Sequence, residues 1–188
     1  MLNDELILAG TAAVILGFGK AGFKGIGPIV ALLLAAAFGA RNAAGMFVPL
    51  MLVGDLIAIY HYRASIQKRY LWQFLPWVLL GLFTAAAVGK DIPEAIFKPI
   101  LASLICLSLF LLLLKKRPWI QRQLKRKWFA SMMGMGAGFS SMIGNFAGAF
   151  GSIFFLSTGI PKKEIIGTTT LVFFIGNLCK LPIHFFIF

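Results

Sequence analysis

The sequence predicts an all-α integral membrane protein: a polytopic helical bundle in one transmembrane domain, 1–188, built from two homologous repeats with discontinuous first helices, the second repeat incomplete. Three observations predict it. Of 188 residues, 60% are hydrophobic and only 13% charged, against roughly 45–50% and 25% in soluble domains. The apolar residues gather in runs, several of them long enough for a helix to cross a hydrocarbon core of about 30 Å. Glycine-rich breaks recur at a fixed distance along the chain.

The runs lie at 6–16, 29–38, 43–62, 71–88, 95–114, 128–143, 151–158 and 165–188. The third, fourth, fifth and last are long enough to span as helices. The others are short and come in two pairs, each joined by a glycine-rich break. Orientation follows from basic residues. The connection "KKRPWIQRQLKRK" (115–127) holds Lys and Arg with no acid, which places it in the cytoplasm as a topology signal, with attraction of anionic lipid as its sharper role. Counting back one helix puts "GKDIPEA" outside, and one more puts "RASIQKRY", with Arg63, Lys68 and Arg69, inside. The start, "MLNDELILAG", carries acid before its apolar part, unlike a secretory n-region, and reads as retained. The expected location is the cell membrane, as a multi-pass protein of a bacterial inner membrane.

A net charge of +12 would suit nucleic acid, but many of the basic residues lie between apolar runs, where topology already requires them. No nucleic-acid partner is expected; membrane lipid is. Cys106 and Cys179 sit within apolar runs, and with His61 and His184 make no ligand spacing, so no metal and no cofactor are expected. The six acids are scattered, where an enzyme would gather carboxylates, a base or a metal. The chain reads as a non-enzyme.

At an offset of about 121 residues, Gly17 and Phe18 match Gly138 and Phe139, and Gly27 matches Gly148. With small gaps Gly39 matches Gly159, Gly45 matches Gly167, Gly54 matches Gly176, and Asp55 falls opposite Asn177. Repeat 1 covers about 1–114, the basic connection 115–127, and partial repeat 2 about 128–188. The second unit falls about two helices short. A longer chain, a homo-oligomer or a partner is expected to complete it, or the protein works with an incomplete half.

A continuous helix over 6–38 would be about 50 Å long at roughly 1.5 Å per residue, too long for the bilayer core. Gly22, Gly25, Gly27 and Pro28 favour a break, because glycine tolerates unusual backbone angles and proline suits the first turn of a new helix. Non-helical backbone at that depth must be buried in protein or line a wet cavity. The free N–H groups of the second half-helix then form an anion site at the positive end of a helix dipole. Lys20 and Lys24, four apart, add full charge on one helical face. Each costs about 2.5–3.5 kcal/mol to insert near the membrane centre, which implies a function or a buried counterion. The second break, "AGFSSMIGNFAGAFGS", offers Ser140, Ser141, Asn145, Gly148 and Ser152 as uncharged hydrogen-bonding partners or close-approach positions. Asp55, Asn177 and Lys180 put polarity inside long apolar runs and are the coupling or counterion candidates, with pairing of Asp55 to a lysine ranked ahead of proton coupling. The plainer readings are that glycines such as Gly134 and Gly138 only let helices approach, that the lysines snorkel to an interface, and that Thr168, Thr169 and Thr170 merely pack.

"GFGKAGFKGIGPIVALLL" followed by "NAAGMFVPLMLVGDLIAIYHYR", and later "GFSSMIGNFAGAFGSIFFL" with "GTTTLVFFIGNLCKLPIHFF", resemble the sulfite exporter TauE/SafE family on both halves of the chain. The chain departs from it at Lys24 and Ile26, where many members carry a glycine cluster, and at Asn145, where some carry histidine. The resemblance implies about eight membrane helices from a duplicated four-helix unit and movement of small sulfur-containing or organic anions. It favours four crossings per unit, parallel halves and an inside N-terminus, whereas Lys162 and Lys163 favour a hairpin at the second break, three crossings and inverted halves. Parallel halves are the expectation taken forward. The functional expectation is a secondary transporter that binds a small anion near the membrane midplane between the two breaks, at Lys20, Gly22, Lys24, Gly25, Gly27, Ser140, Ser141, Asn145 and Gly148. The alternative is an anion channel or a non-transporting membrane subunit.

Overall fold

Each apolar run becomes a helix, and the described residues hold no strand. The computed structural model describes residues 2–20, 27–89, 93–114 and 127–187. In chain order the helices are α1 (Leu2–Lys20), α2 (Gly27–Phe38), α3 (Ala40–Tyr62), α4 (Lys68–Gly89), α5 (Glu94–Leu114), α6 (Lys127–Gly144), α7 (Ala147–Ser157) and α8 (Lys162–Ile187). A 3-10 turn, Arg63–Ser65, follows α3. Pro49, Pro76, Pro99 and Pro182 lie inside α3, α4, α5 and α8, as membrane helices accept when neighbouring groups satisfy the freed carbonyls. Pro28 instead occupies the first turn of α2, where its missing N–H costs nothing. Gly39, at φ 82, makes the corner between α2 and α3, and its N–H bonds the Ala35 carbonyl at 3.0 Å.

The glycine-rich stretch before the second break is unbroken helix. Its glycines seat α6 against α4: a Cβ on Gly138 would lie 1.9 Å from the Val78 carbonyl oxygen, and one on Gly81 2.2 Å from that of Met135. Gly134 is likewise closed off by Trp77 and Phe74. Absent side chains let the two backbones touch. The contacts advance together, Gly134 with Phe74 and Trp77, Gly138 with Val78 and Leu82, so α4 and α6 run parallel.

Only Asn145 and Phe146 separate α6 from α7, and there the chain reverses. The Phe150 ring lies against Gly136, whereas a straight continuation would hold those positions about 21 Å apart. Farther along α7, Phe154 stacks on Phe74 with ring centroids 4.5 Å apart, and Phe155 meets the same ring edge-on at 5.3 Å. This corrects the single-crossing expectation for the second break, since α7 returns to the end of the bundle where α6 begins. The first pair is also packed side by side. Ala12 and Leu16 of α1 share a buried cluster with Val30 and Leu34 of α2, an arrangement closed to two ends of one rod.

Helices α3 and α8 cross antiparallel. Asp55 meets Asn177, and nearer the other end Gly167 lies against Tyr62 and Ser65. The Gln67 backbone N–H donates to the Thr168 hydroxyl at 2.9 Å. The α3–α4 and α7–α8 links therefore share one end of the bundle, and Arg63, Lys68, Arg69, Lys162 and Lys163 are exposed there.

Polarity is inverted relative to a soluble fold. Trp72 and Ile57 are each 68% exposed and Leu113 79%, while Asp55, Ser140, Thr168 and Lys180 are fully buried. Among the described residues, Lys68–Gly89 and Lys162–Ile183 are long and apolar enough to cross a membrane.

Candidate functional site

The fold brings a buried polar chain across three elements. On α8, Asn177 and Lys180 are three residues apart and so share a helical face. Asn177 Nδ2 donates to Asp55 Oδ2 of α3 at 2.9 Å. One turn on, Lys180 Nζ donates to the Ser141 carbonyl oxygen at 3.1 Å, to Ser141 Oγ at 3.0 Å and to Asn145 Oδ1. Two sequence-distant groups are thereby joined through one face of α8.

The local geometry explains why the tip accepts a cation. Asn145 adopts φ 61, a left-handed conformation that asparagine tolerates better than most residues. Its N–H bonds the Ser141 carbonyl at 3.1 Å and that of Phe146 the Ser140 carbonyl at 3.2 Å, closing α6 with a left-handed cap. The last carbonyls of a helix carry partial negative charge, so an ammonium held there gains up to about 2 kcal/mol in a partly buried setting. That offsets part of the cost of placing Lys180 at 0% exposure. On the other side of the tip, Phe146 gives α7 no side-chain cap. Gly148, in the first turn of α7, is exposed, with open space where a Cβ would stand.

The candidates separate as follows. Ser141, Asn145 and Lys180 meet, and Asp55 meets Asn177. Ser140 is fully buried, but its hydroxyl donates to the Gly136 carbonyl at 2.7 Å, and Ser152 does the same to Gly148 at 2.6 Å; both protons are turned onto their own helix. Lys20 is the last residue of α1 and Gly27 the first of α2. Gly22, Lys24 and Gly25 lie outside the described residues. Lys180, grouped with Asp55 and Asn177 as a coupling or counterion candidate, also bonds the second break. Thr168, read from the sequence as packing, accepts the Gln67 N–H and so ties α8 to the α3–α4 link. Among the described residues no group of His, Cys, Asp and Glu could hold a metal.

Among the described residues, a helical bundle with lipid-compatible side chains outward and a lysine, an aspartate and two asparagines hydrogen-bonded inside has the character of a membrane protein. The chain belongs to the sulfite exporter TauE/SafE family, whose family model matches residues 6–188. These are membrane transporters of sulfite or related anions, and not enzymes. Searches of curated proteins and of solved structures give no match.

Proposed function

We propose that the chain forms the binding core of a secondary transporter for small anions, sulfite among them, held inside the bilayer where the α6–α7 tip packs near the end of α1 and the start of α2. The observation that carries this reading is the α6–α7 tip: it presents the start of α7, to which the N-cap residue Phe146 gives no side-chain cap, two residues from an asparagine bonded to the Lys180 ammonium. N–H groups at a helix start plus a buried cation are the elements of an anion site. Met142, Ile143 and Phe146 of this tip share a cluster with Leu16 and Val30, which lie toward the end of α1 and the start of α2. At the repeat offset, Ser141 and Asn145 stand opposite Lys20 and Lys24, so each hairpin carries an ammonium by a different route.

Inverted halves suit this geometry. Asp55 touches Asn177, the position the repeat pairs it with, and α3 and α8 cross antiparallel there. Helices meeting at their own counterparts are what a pseudo-two-fold axis in the membrane plane produces. The positive-inside rule assigns the end with Arg63, Lys68, Arg69, Lys162 and Lys163 to the cytoplasm. The α6–α7 hairpin then enters from the cytoplasm and α1–α2 from outside.

The test is sulfite uptake into liposomes holding the purified chain. Lys180→Met and Lys20→Met each lower saturable uptake by about tenfold or more, equivalent to about 1.4 kcal/mol of binding, with melting temperatures showing that both variants fold. Wild-type uptake in both folded variants would remove the ammonium groups from the mechanism.

A further inference from the structure

We infer that Lys180 is a latch on the α6–α7 tip, and that the transported anion opens the tip by taking the ammonium's hydrogen bonds for itself. The inference rests on the anion-transport reading above and specifies how that site is gated.

The tip offers the Lys180 ammonium three acceptors on two residues: the Ser141 carbonyl, the Ser141 hydroxyl and the Asn145 side-chain oxygen. All three are neutral. An oxyanion presents full negative charge and several lone pairs, so Coulomb attraction between two full charges adds to hydrogen bonds that the ammonium already makes charge-assisted. The anion and the tip therefore compete for the same donors, and the anion is the stronger competitor. A ligand shifts a conformational equilibrium only through a difference in affinity between its two states. Here the difference is built in, because the donors that bind the tip when it is latched are available to the anion when it is not.

The tip is made to move at this point. Gly144 ends α6, Asn145 sits at φ 61, and Gly148 has open space beside it, so the backbone angles of a hinge concentrate in a few residues. The Ser141 carbonyl bonds both Lys180 and the Asn145 N–H, so loss of the ammonium loosens the cap itself. Because α7 returns to the end that holds Arg63 and Lys162, release of the tip opens the site toward that face.

The experiment is amide hydrogen exchange of the segment 140–150 in the purified full chain, with and without saturating sodium sulfite, alongside thermal stability of the same samples. A latch predicts that sulfite speeds exchange at Asn145 and Phe146 by about threefold or more, as local opening free energy falls. Lys180→Met exchanges fast without sulfite and responds to it no further. Asn145→Gly, which keeps the left-handed backbone, shows a raised baseline and a weaker response. Slower or unchanged exchange in wild type, together with a gain in thermal stability from sulfite, overturns the latch and leaves the anion site standing. No stability gain and no exchange response with sulfite, sulfate or acetate overturns both.

Discussion

A glycine in this chain is decided by what stands opposite it. Gly138 and Gly17 each stand before a phenylalanine in a glycine-rich stretch, yet a Cβ on Gly138 would meet the α4 backbone at 1.9 Å and one on Gly17 meets nothing within 4 Å. Backbone atoms cannot rotate aside, so Gly138→Ala forces α4 and α6 apart and costs about 1–3 kcal/mol of stability or more. Gly17→Ala is tolerated. Denaturation midpoints in detergent check both, and equal midpoints would mean the α4–α6 seam is not as close as described. Asn145 offers a second residue-scale test. Both Asn145→Gly and Asn145→Ala remove the acceptor for Lys180, but only alanine strains the left-handed backbone, by about 1–2 kcal/mol. The glycine variant therefore melts higher than the alanine variant. Asn145 was legible as a polar partner in the second break; its left-handed backbone and its lysine partner, 35 residues away, were not.

Elements meet through few polar contacts, each of consequence in a medium that offers no water. The bond from Asn177 to Asp55 ties α8 to α3. Removing the donor with Asn177→Leu leaves a buried carboxylate short of a partner and costs about 1–3 kcal/mol. The pair Asp55→Leu with Asn177→Leu recovers part of that loss, and a double-mutant cycle on unfolding free energy measures it. Strict additivity would mean the two side chains do not couple. Helix extents were largely legible, because runs of apolar residues fix where a helix can lie in a bilayer. The second break was not. The sequence pointed to a wide interruption through "AGFSSMIGNFAGAFGS", while α6 holds its helix to Gly144 and reverses over two residues. Glycine content alone cannot separate a break from a close helix seam, since both want a missing side chain.

At the scale of the whole molecule, the α3–α4 and α7–α8 links share one end. In a background lacking Cys106 and Cys179, Ser65→Cys and Lys163→Cys should therefore react with an impermeant thiol reagent from the same side of the membrane, the cytoplasmic one. Labelling from opposite sides would refute the hairpin and restore a single crossing at the second break. By itself the sequence determined that this chain is a membrane protein, where most of its helices lie, and that Asp55, Asn177 and Lys180 fall inside apolar helices. Those features are set by local composition and by the cost of exposing polar backbone to hydrocarbon. Only the tertiary structure decided that α7 folds back along α6, that Asp55 pairs with Asn177, and that Lys180 caps the end of α6. The physical reason is that a reversal of two residues leaves almost no trace in composition, while contacts between helices far apart in sequence depend on which faces are buried together.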